Sequence, residues 1–487
     1  MTLAMLGAVL EQEGYRVHTC INTFAQPLTV EDFVLEARAV KADYVGISML
    51  TFRVLFAYDI VRALKEAGFT VILGGPHPTD CPTEGIKAGA DIVVIGEGEE
   101  TLREIVSGKP LREINGIMTK DFKTERRKRL DINTLPLPDV SVFNEKDFLG
   151  EEGFVKGFHR IYTSRGCPGI CTFCDWKVFG QKFKEYDIKA VVDEIKRRRD
   201  KYGLRSFSIA DDCFTVNPER VFEFCRLIKP LDVQWRANSR ANLVTKAMLS
   251  AMKDAGCHSI AFGLESGDPE TLQKIAKDVT LAENIRAPKL AHEVGLEVYG
   301  CLMTGFPWET PAHVENQIKF IHELWDDVSL FQVSGSLMPF PGAPIYRTYA
   351  PIYGFEEYWL RPEYQNFGIQ VYQNAPNPLA VSTFYQRYLF DDTYIRDEYF
   401  FTYTPEYKKA VRGLVREIGR HNLRFMFQGQ PRKQKLYLAL AEVSLAVSRV
   451  FPKLEKRLGG LLFHGRSQVE RIRDKRRGIA KSYTNPN

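Results

Sequence analysis

The chain has 487 residues, and its 44% hydrophobic and 12% aromatic content excludes a largely disordered protein and allows two or three domains. The net charge of +5 is unevenly distributed, because the residues after about position 405 are strongly basic and the rest are net acidic. No apolar run is long enough to predict a membrane span, and no basic segment at the start predicts a signal peptide. The nine cysteines show no disulfide framework, so we predict a cytoplasmic protein with reduced thiols.

Residues 1–108 alternate helical and strand patterns and predict an α/β domain with a doubly wound parallel sheet. The predicted helices cover residues 3–13, 30–40 and 56–67, and the predicted strands cover residues 15–21, 44–49, 70–73 and 92–95. Glycine-rich loops follow the last two strands, with the sequences GGPH from Gly74 and GEGE from Gly96. Ligands lie beyond the carboxyl ends of such strands, where glycine lets the backbone approach closely, although the same glycines can simply form tight turns.

Residues 109–156 lack a sustained period and contain a Leu-Pro-Leu-Pro stretch, so they predict a linker. Residues 157–350 alternate again and predict a partial (β/α)6 barrel of the TIM type, with its chemistry at the carboxyl ends of the strands. The predicted strands cover residues 160–163, 206–210, 233–237, 259–263, 297–303 and 330–336, and the predicted helices cover 188–202, 218–228, 246–255, 269–274, 282–294 and 312–325. Residues 351–487 predict a helical region that is first aromatic, as in a packed core, and then basic.

The most informative motif is the ten-residue stretch RGCPGICTFC from Arg165 to Cys174, which follows the first barrel strand. Its three cysteines, Cys167, Cys171 and Cys174, are spaced so that one loop can direct three thiolates to a common point. A structural zinc site requires four protein ligands, whereas a 4Fe–4S cluster held by three thiolates leaves one iron open for a small molecule. The motif therefore indicates catalysis rather than structural bracing.

This loop, with Phe173 before the last cysteine, resembles the signature of the radical S-adenosylmethionine (SAM) superfamily. The resemblance implies that the three cysteines hold a 4Fe–4S cluster, that SAM chelates the open iron, and that an electron cleaves SAM to a 5′-deoxyadenosyl radical. It also implies a set of residues near SAM, which comprises Phe173, Ala210, Asp211, Asp212, Arg236, Asn238, Glu265 and Gly305. Two alternatives stay open: the aspartates can cap the helix that begins at Pro218, and Arg236 and Asn238 can be scaffold residues.

The N-terminal domain together with the barrel resembles the cobalamin-binding branch of this superfamily, which includes the anaerobic magnesium-protoporphyrin IX monomethyl ester cyclase and hopanoid-modifying enzymes. The implied cobalamin-binding residues are Ser48, Gly74, Gly75, Pro76, Gly96, Glu97, Gly98 and Glu99. Two features depart from related patterns. No Asp-x-His-x-x-Gly motif offers a lower axial histidine, and the sequence begins with the pattern of the first helix, so we expect the usual opening strand to be missing.

The resemblance implies a cobalamin-dependent radical SAM enzyme that modifies an unactivated carbon by methyl transfer or oxidative cyclisation. We expect a small hydrophobic substrate, such as a lipid or a tetrapyrrole, and a reductant such as flavodoxin or ferredoxin. The alternatives are a cobalamin-independent radical SAM enzyme, a tRNA methylthiotransferase, and a non-catalytic iron–sulfur or cobalamin sensor. Nucleic acid is not expected as a partner.

The basic tail suggests a further partner. A predicted helix over residues 435–450 carries Leu436, Leu440, Val443 and Val447 on one side and is flanked by Lys and Arg. Such a helix can lie on an anionic membrane surface, which would make the protein membrane-peripheral. The alternative, which we favour, is that its apolar side packs on the barrel.

Overall fold

The computed structural model describes residues 2–22, 28–138, 158–175, 178–179, 182–362, 401 and 403–426, with single positions 432, 436 and 439. The framework consists of a mainly parallel four-stranded sheet and a parallel six-stranded sheet. The strands are β1 (Tyr44–Ser48), β2 (Thr70–Gly74), β3 (Ile92–Val94), β4 (Ile117–Met118), β5 (Phe158–Ile161), β6 (Ser164–Arg165), β7 (Lys184–Glu185), β8 (Ser206–Ile209), β9 (Gln234–Arg240), β10 (Cys257–Glu265), β11 (Glu297–Thr304) and β12 (Leu330–Ser336).

The α-helices begin at prolines or capping side chains in most cases, as their sequences favour. They are α1 (Thr2–Gln12), α2 (Val30–Ala39), α3 (Val54–Glu66), α4 (Pro76–Asp80), α5 (Pro82–Lys87), α6 (Glu99–Val106), α7 (Ile188–Tyr202), α8 (Pro218–Ile228), α9 (Lys246–Asp254), α10 (Pro269–Lys274), α11 (Leu281–Glu293), α12 (Pro311–Glu323), α13 (Pro344–Tyr353) and α14 (Pro405–Met426).

The N-terminal sheet has the order β1-β2-β3-β4. Its first three strands are parallel, as predicted. The strands β2 and β3 are apolar and buried on both faces, whereas the residues of β1 alternate between exposed and half-buried. The fourth strand is antiparallel to β3 and lies inside the predicted linker. A two-residue strand is too short to give a periodic signal, which explains why the sequence pattern did not predict it.

The predicted strand over residues 15–21 is wrong, because this segment forms no strand in the structure. Its side chains bind α2 instead. Arg16 donates to the carbonyl of Val40 at 2.8 Å, and the ring of His18 lies 3.2 Å from the carboxylate of Glu36. This segment therefore contacts a helix through its side chains, whereas a strand requires hydrogen bonds between its backbone and that of a neighbouring strand.

The second sheet contains the six predicted barrel strands, all parallel, in the order β12-β11-β10-β9-β8-β5. Each strand pairs with the next along the chain, as expected of successive βα units. Its outer layer is apolar, and the Trp235 ring packs edge-on against Phe214 and Phe224. This confirms the partial barrel and places the carboxyl ends of all six strands at one edge.

The helix α14 covers the free edge of the barrel at β12. The side-chain amide of Asn422 accepts a hydrogen bond from the backbone N–H of Phe331 at 2.9 Å and donates one to its carbonyl at 2.7 Å. These two bonds replace those that a neighbouring strand would make, so a helix side chain satisfies the backbone N–H and carbonyl of Phe331 at this sheet edge.

The aromatic segment is described only in part. Phe401 and Tyr403 are buried, in agreement with core packing, whereas the predicted helix over residues 435–450 lies outside the described residues apart from single positions. Within the described part of the chain, no helix combines the length and the apolar character that crossing a membrane requires.

Candidate functional site

The cysteine loop is closed at its base by a short ribbon in which β6 pairs antiparallel with β7. Gly166 has a φ of +81°, and a Cβ at this position would lie 2.7 Å from the carbonyl oxygen of Lys182, so only glycine fits. Farther along, the N–H of Thr172 donates to Ile275 and its carbonyl accepts from Ile345, both at 2.9 Å. The loop is thus fixed to the barrel on three sides.

The three cysteines of this loop are free thiols. Two donors reach the sulfur atoms: the N–H of Gly169 lies 3.4 Å from Cys167 Sγ, and Arg240 Nη1 lies 3.6 Å from Cys171 Sγ. Such N–H···S contacts suit an iron–sulfur cluster, whose sulfur ligands commonly accept hydrogen bonds. Burial, followed by nearby sulfurs and carboxylates, raises the pKa of Cys174 to about 12, and the positive charge of an iron–sulfur core would offset this.

Asp211 holds the chain just before the loop. One carboxylate oxygen accepts from the backbone N–H of Thr163 at 2.7 Å, and the other accepts from the hydroxyls of Thr163 and Ser164 at 2.6 Å. Complete burial raises the pKa of Asp211, while these hydrogen bonds oppose the rise. The helix-capping alternative is wrong for the aspartates, because Asn217 caps α8.

The neighbouring predicted residues join three strand ends. The N–H of Ala210 donates to the carbonyl of Ile161 at 2.8 Å, which extends the β5–β8 pairing. Asn238 donates to the carbonyl of Asp211 at 3.4 Å, and Arg236 donates to the hydroxyl of Ser208 at 3.2 Å. Asp212 follows Asp211 and lies near enough to the Cys174 thiol to contribute to its raised pKa.

Glu265 ends β10 in the left-handed region, with a φ of +58°, where an irregular register follows Gly263. Its carboxylate accepts from the ammonium of Lys277 at 2.9 Å, and both side chains are buried. Lys277 was missed by the sequence analysis, since a lysine in a short loop between two helices carries no local signal. Its backbone carbonyl accepts from Arg240, so the pair is joined to the arginine beside Cys171.

Gly305, after β11, is held by residues that the sequence analysis also did not assign to the site. Its N–H contacts both the carboxylate of Glu309 at 2.7 Å and the hydroxyl of Tyr407 at 3.0 Å, and its carbonyl accepts from Tyr403 at 2.6 Å. Tyr407 donates to Glu309 at 2.5 Å. Burial raises the pKa of Glu309 to about 7 although these donors oppose the rise. Tyr407 of α14 and Tyr403 just before that helix therefore hold the loop that follows β11.

Phe173 lies next to this loop. Its ring packs edge-on against Phe306 with centroids 6.4 Å apart, and Phe306 stacks on Trp308 at 5.2 Å. The aromatic residue of the cysteine motif is therefore joined to the end of β11.

At the carboxyl edge of the N-terminal sheet, the glycine loops and Ser48 lie together. Gly75, which precedes Pro76 at the start of α4, has a φ of +106°, and a Cβ there would lie 2.9 Å from the carbonyl of Met49 and 3.3 Å from the hydroxyl of Ser48. Thr79 bridges the two loops, since its hydroxyl donates to Gly75 at 2.8 Å and accepts from the N–H of Gly96 at 3.0 Å. Gly74 pairs with Ser48 in the β1–β2 register. Glycine at position 75 thus lets this loop lie directly against the end of β1.

Glu97 and Glu99 follow β3 on either side of Gly98, and their carboxylates bind Arg165, the first residue of the cysteine motif. The Arg165 Nη1 atom lies 3.2 Å from Glu97 and 2.7 Å from Glu99, and all three side chains are buried. Glu97 also accepts from Arg129 at 2.8 Å. These glutamates, predicted as cobalamin-binding, connect the two domains.

A second group of possible metal ligands occurs in the described residues, comprising His77, Cys81 and Glu84. Protein donors already satisfy it: Glu84 accepts from Tyr58 at 3.1 Å and from the Trp359 indole at 3.1 Å. The His77 ring is completely buried, with its nitrogens 3.2 Å from Glu84 and from a threonine hydroxyl. This histidine is therefore committed to the protein and not available as a lower axial ligand.

Comparisons with known proteins agree with this geometry. Residues 161–321 match the Radical SAM superfamily, and residues 1–106 match the B12 binding domain. An uncharacterized methyltransferase of Pyrococcus horikoshii is 32% identical over 342 residues, which cover 67% of this chain and 73% of the relative. The anaerobic magnesium-protoporphyrin IX monomethyl ester cyclase of Cereibacter sphaeroides is 25% identical over 71% of this chain and 59% of its own length.

Two solved structures have the same fold. The radical SAM methyltransferase TsrM from Kitasatospora setae aligns with a TM-score of 0.59 at 19% identity over 73% of both chains. The cobalamin-dependent SAM radical enzyme OxsB aligns with a TM-score of 0.64 at 15% identity, over 100% of this chain and 79% of that one. At these identities the likeness concerns the fold.

Proposed function

The chain belongs to the radical SAM superfamily and carries a B12-binding domain, and on this premise we propose that it transfers a methyl group to an unactivated carbon of a small hydrophobic substrate. It is an enzyme whose cofactors are a 4Fe–4S cluster, SAM and cobalamin. The cluster and SAM supply a carbon radical when they are bound, and cobalamin supplies a methyl donor. Formation of a new ring by oxidation is the second candidate, because a cyclase is among the relatives.

One observation carries the proposal: Arg165 of the cysteine loop is bound by Glu97 and Glu99 of the B12-binding domain. This buried contact keeps the glycine-rich edge of one sheet against the cysteine loop at the edge of the other. A methyl donor and a radical generator must act on the same substrate atom, so their holders have to be fixed relative to each other.

The roles that we propose follow this arrangement. Cys167, Cys171 and Cys174 would hold the cluster, and the residues at the barrel strand ends would surround SAM. The SAM set comprises Phe173, Ala210, Asp211, Asp212, Arg236, Asn238, Glu265 and Gly305. The cobalamin set comprises Ser48, Gly74, Gly75, Pro76, Gly96 and Gly98, with Glu97 and Glu99 acting on the loop through Arg165.

A hydrophobic substrate, such as a tetrapyrrole or a lipid, is supported by aromatic side chains beside the cysteine loop. Phe173 and Trp308 are half-buried there and are joined by the fully buried Phe306, and partly exposed aromatic rings provide contact area for flat apolar molecules. A flavodoxin or ferredoxin in the cytoplasm would supply the electron, and the nine free thiols of the chain are in keeping with a reducing compartment.

The decisive experiment is anaerobic reconstitution of the full chain with iron, sulfide and hydroxocobalamin, followed by incubation with SAM and dithionite. The wild-type chain should retain cobalamin and release 5′-deoxyadenosine, whereas Cys171→Ser should lose at least about a hundredfold of that activity because one cluster ligand is missing. Cys20→Ser, which changes a cysteine outside the motif, should behave as wild type. Absence of 5′-deoxyadenosine from iron-loaded wild-type protein would refute the proposal.

The choice between the two reactions needs an isotope label. With methyl-deuterated SAM and a tetrapyrrole substrate, methyl transfer places the label in the product, as mass spectrometry would show. An unlabelled product that has lost two hydrogen atoms would favour the cyclase reaction instead.

The proposed membrane contact through the tail concerns residues outside the described part of the chain. A membrane-binding tail predicts that sedimentation with liposomes of anionic lipid recovers the full chain but not a version without residues 431–487, whereas the favoured packing of the tail on the barrel predicts equal recovery. Equal recovery of both would exclude the tail as the contact and return it to the barrel-packing alternative.

A further inference from the structure

The barrel contains an unusual buried arginine. Four arginines have buried side chains in the described part of the chain: Arg165, Arg198, Arg220 and Arg240. The first three have carboxylates within 4.0 Å, which are Glu97 and Glu99 for Arg165, Glu194 for Arg198 and Glu185 for Arg220. Arg240 has no such partner among the described residues. A guanidinium stays charged at any ordinary pH, and burying it without an anion is costly.

The neighbours of Arg240 identify the anion that it would face. Its Nη1 atom lies 3.6 Å from Cys171 Sγ, and its Nη2 atom donates to the carbonyl of Lys277. A Cβ on Gly169 would lie 2.6 Å from Nη1 and 3.4 Å from Cys167 Sγ. The guanidinium therefore passes directly beneath the cysteine loop, and glycine at position 169 leaves room for it.

The carboxylate of Glu265 does not balance the charge of Arg240, because it already binds another buried cation, Lys277. Lys277 is neutralised by Glu265 at 2.9 Å, so this pair contributes little net charge, and its carbonyl fixes one side of the guanidinium. The negative charge that the structure brings next to the Arg240 guanidinium is the thiolate of Cys171, 3.6 Å from Nη1. Three thiolates around a 4Fe–4S core carry net negative charge, which increases by one when the cluster takes up an electron.

We propose that Arg240 is the counter-charge of the 4Fe–4S cluster and sets its reduction potential. Its positive charge and its N–H···S contact to Cys171 stabilise the reduced cluster more than the oxidised one, because the reduced form is more negative. A low-potential one-electron donor can then reduce the cluster, with no bond formed or broken in that step. The inference rests on the cluster that the family implies and does not depend on the substrate or on methyl transfer.

The test measures the midpoint potential of the reconstituted full chain by a dithionite titration followed by electron paramagnetic resonance. Arg240→Gln keeps an N–H donor but loses the charge, so the ratio of oxidised to reduced cluster at a fixed potential should rise about tenfold, a shift of about 59 mV to lower potential. Arg240→Lys keeps the charge without the planar fork and should recover most of that difference.

Arg198→Gln is the matched control, because it removes a buried arginine of α7 that binds Glu194 and the carbonyl of Pro138. Its midpoint potential should equal that of the wild-type chain. A wild-type potential in Arg240→Gln with a full iron content would overturn the proposal. If both Arg240 variants lose iron while Arg198→Gln retains it, Arg240 has a structural role only, and the proposal also fails.

Discussion

In the N-terminal sheet, the glutamates that follow β3 bind a cation from the other domain, whereas the glutamate that ends β10 binds a lysine of its own barrel. Arg165 lies 2.7 Å from Glu99, and Lys277 lies 2.9 Å from Glu265. Both contacts are buried and both glutamates were predicted as cofactor-binding residues. The two edges therefore differ in the residues that bind their glutamates. The N-terminal edge is bound by an arginine of the barrel domain, whereas the barrel edge is bound by a lysine of the barrel and contacts α14.

This difference shows that an acidic residue after a parallel strand has two possible uses. It can face a ligand, or it can hold a neighbouring loop in the position that the ligand needs. Glu97 and Glu99 belong to the second kind by their contacts, and Asp211 does as well, since its oxygens are taken up by Thr163 and Ser164. Substituting the residues that bind these carboxylates should show how much each contact contributes to the stability of its sheet edge.

The largest effect is expected from Arg165→Met, which leaves the buried carboxylate of Glu99 without its cation. Breaking a buried ion pair on one side costs about 3–5 kcal/mol of unfolding free energy. Adding Glu99→Gln should recover part of this loss, and urea unfolding of the single and double variants measures the coupling. The control is Arg103→Gln, whose ion pairs with Glu13 and Glu100 are exposed and should contribute less than about 1 kcal/mol. Equal losses in the Arg165 and Arg103 variants would show that the N-terminal edge is independent of the barrel.

A smaller effect with a defined pH dependence is expected from Glu309→Gln in the barrel edge. Burial raises the pKa of Glu309 to about 7 from an ordinary value of 4.5, so the folded chain binds the proton more tightly than the unfolded chain. Wild-type stability should therefore fall as pH rises from about 4.5 to about 7, by about 3 kcal/mol relative to the variant, and the difference should stay constant above that range.

Unfolding midpoints of both chains between pH 4 and pH 9 would test this expectation. Glu323→Gln serves as the control. Glu323 ends α12, the helix that follows Glu309, and its ion pair with Lys289 is exposed, so this variant should follow the wild-type curve. A difference curve that is flat, or that rises in the opposite sense, would contradict the expectation.

The smallest expected effect concerns the helix that covers the last strand. Asn422→Ala removes both hydrogen bonds to the backbone of Phe331 and should cost about 2 kcal/mol, because the buried backbone groups lose their partners. Arg424→Ala, on the same helix as Asn422, removes an exposed ion pair with Asp326 and should cost less than about 1 kcal/mol. Thermal unfolding of the two variants compares them directly; similar melting temperatures would mean that the edge of β12 does not rely on α14.

Much of the fold could be predicted from local patterns. The six barrel strands and the parallel strands of the first sheet are apolar runs, and the helices between them begin with capping residues. Both signals are readable in short windows of sequence. The segment over residues 15–21 failed because alternation alone cannot distinguish a paired strand from an extended segment bound to a helix. The strand β4 was missed because two residues carry no period.

The candidate site was predictable only where its residues are close in sequence. The three cysteines and Phe173 fall within eight residues of the motif, so their spacing is readable. Contacts between distant segments gave no signal: Arg165 and Glu97 are 68 residues apart, and Gly305 and Tyr407 are 102 residues apart.

The amino-acid sequence by itself therefore determined the order of the elements, the thiolate loop and the glycine turns, because these follow from local backbone geometry and side-chain periodicity. Only the tertiary structure decided which charges meet. It placed Arg240 beside Cys171, with no carboxylate of the described residues within 4.0 Å, and it placed Glu97 and Glu99 on Arg165 and Tyr407 on the loop at Gly305. Such pairings depend on how strands and helices pack over long sequence separations, where hydrogen-bond geometry and burial select one partner among many of the same charge.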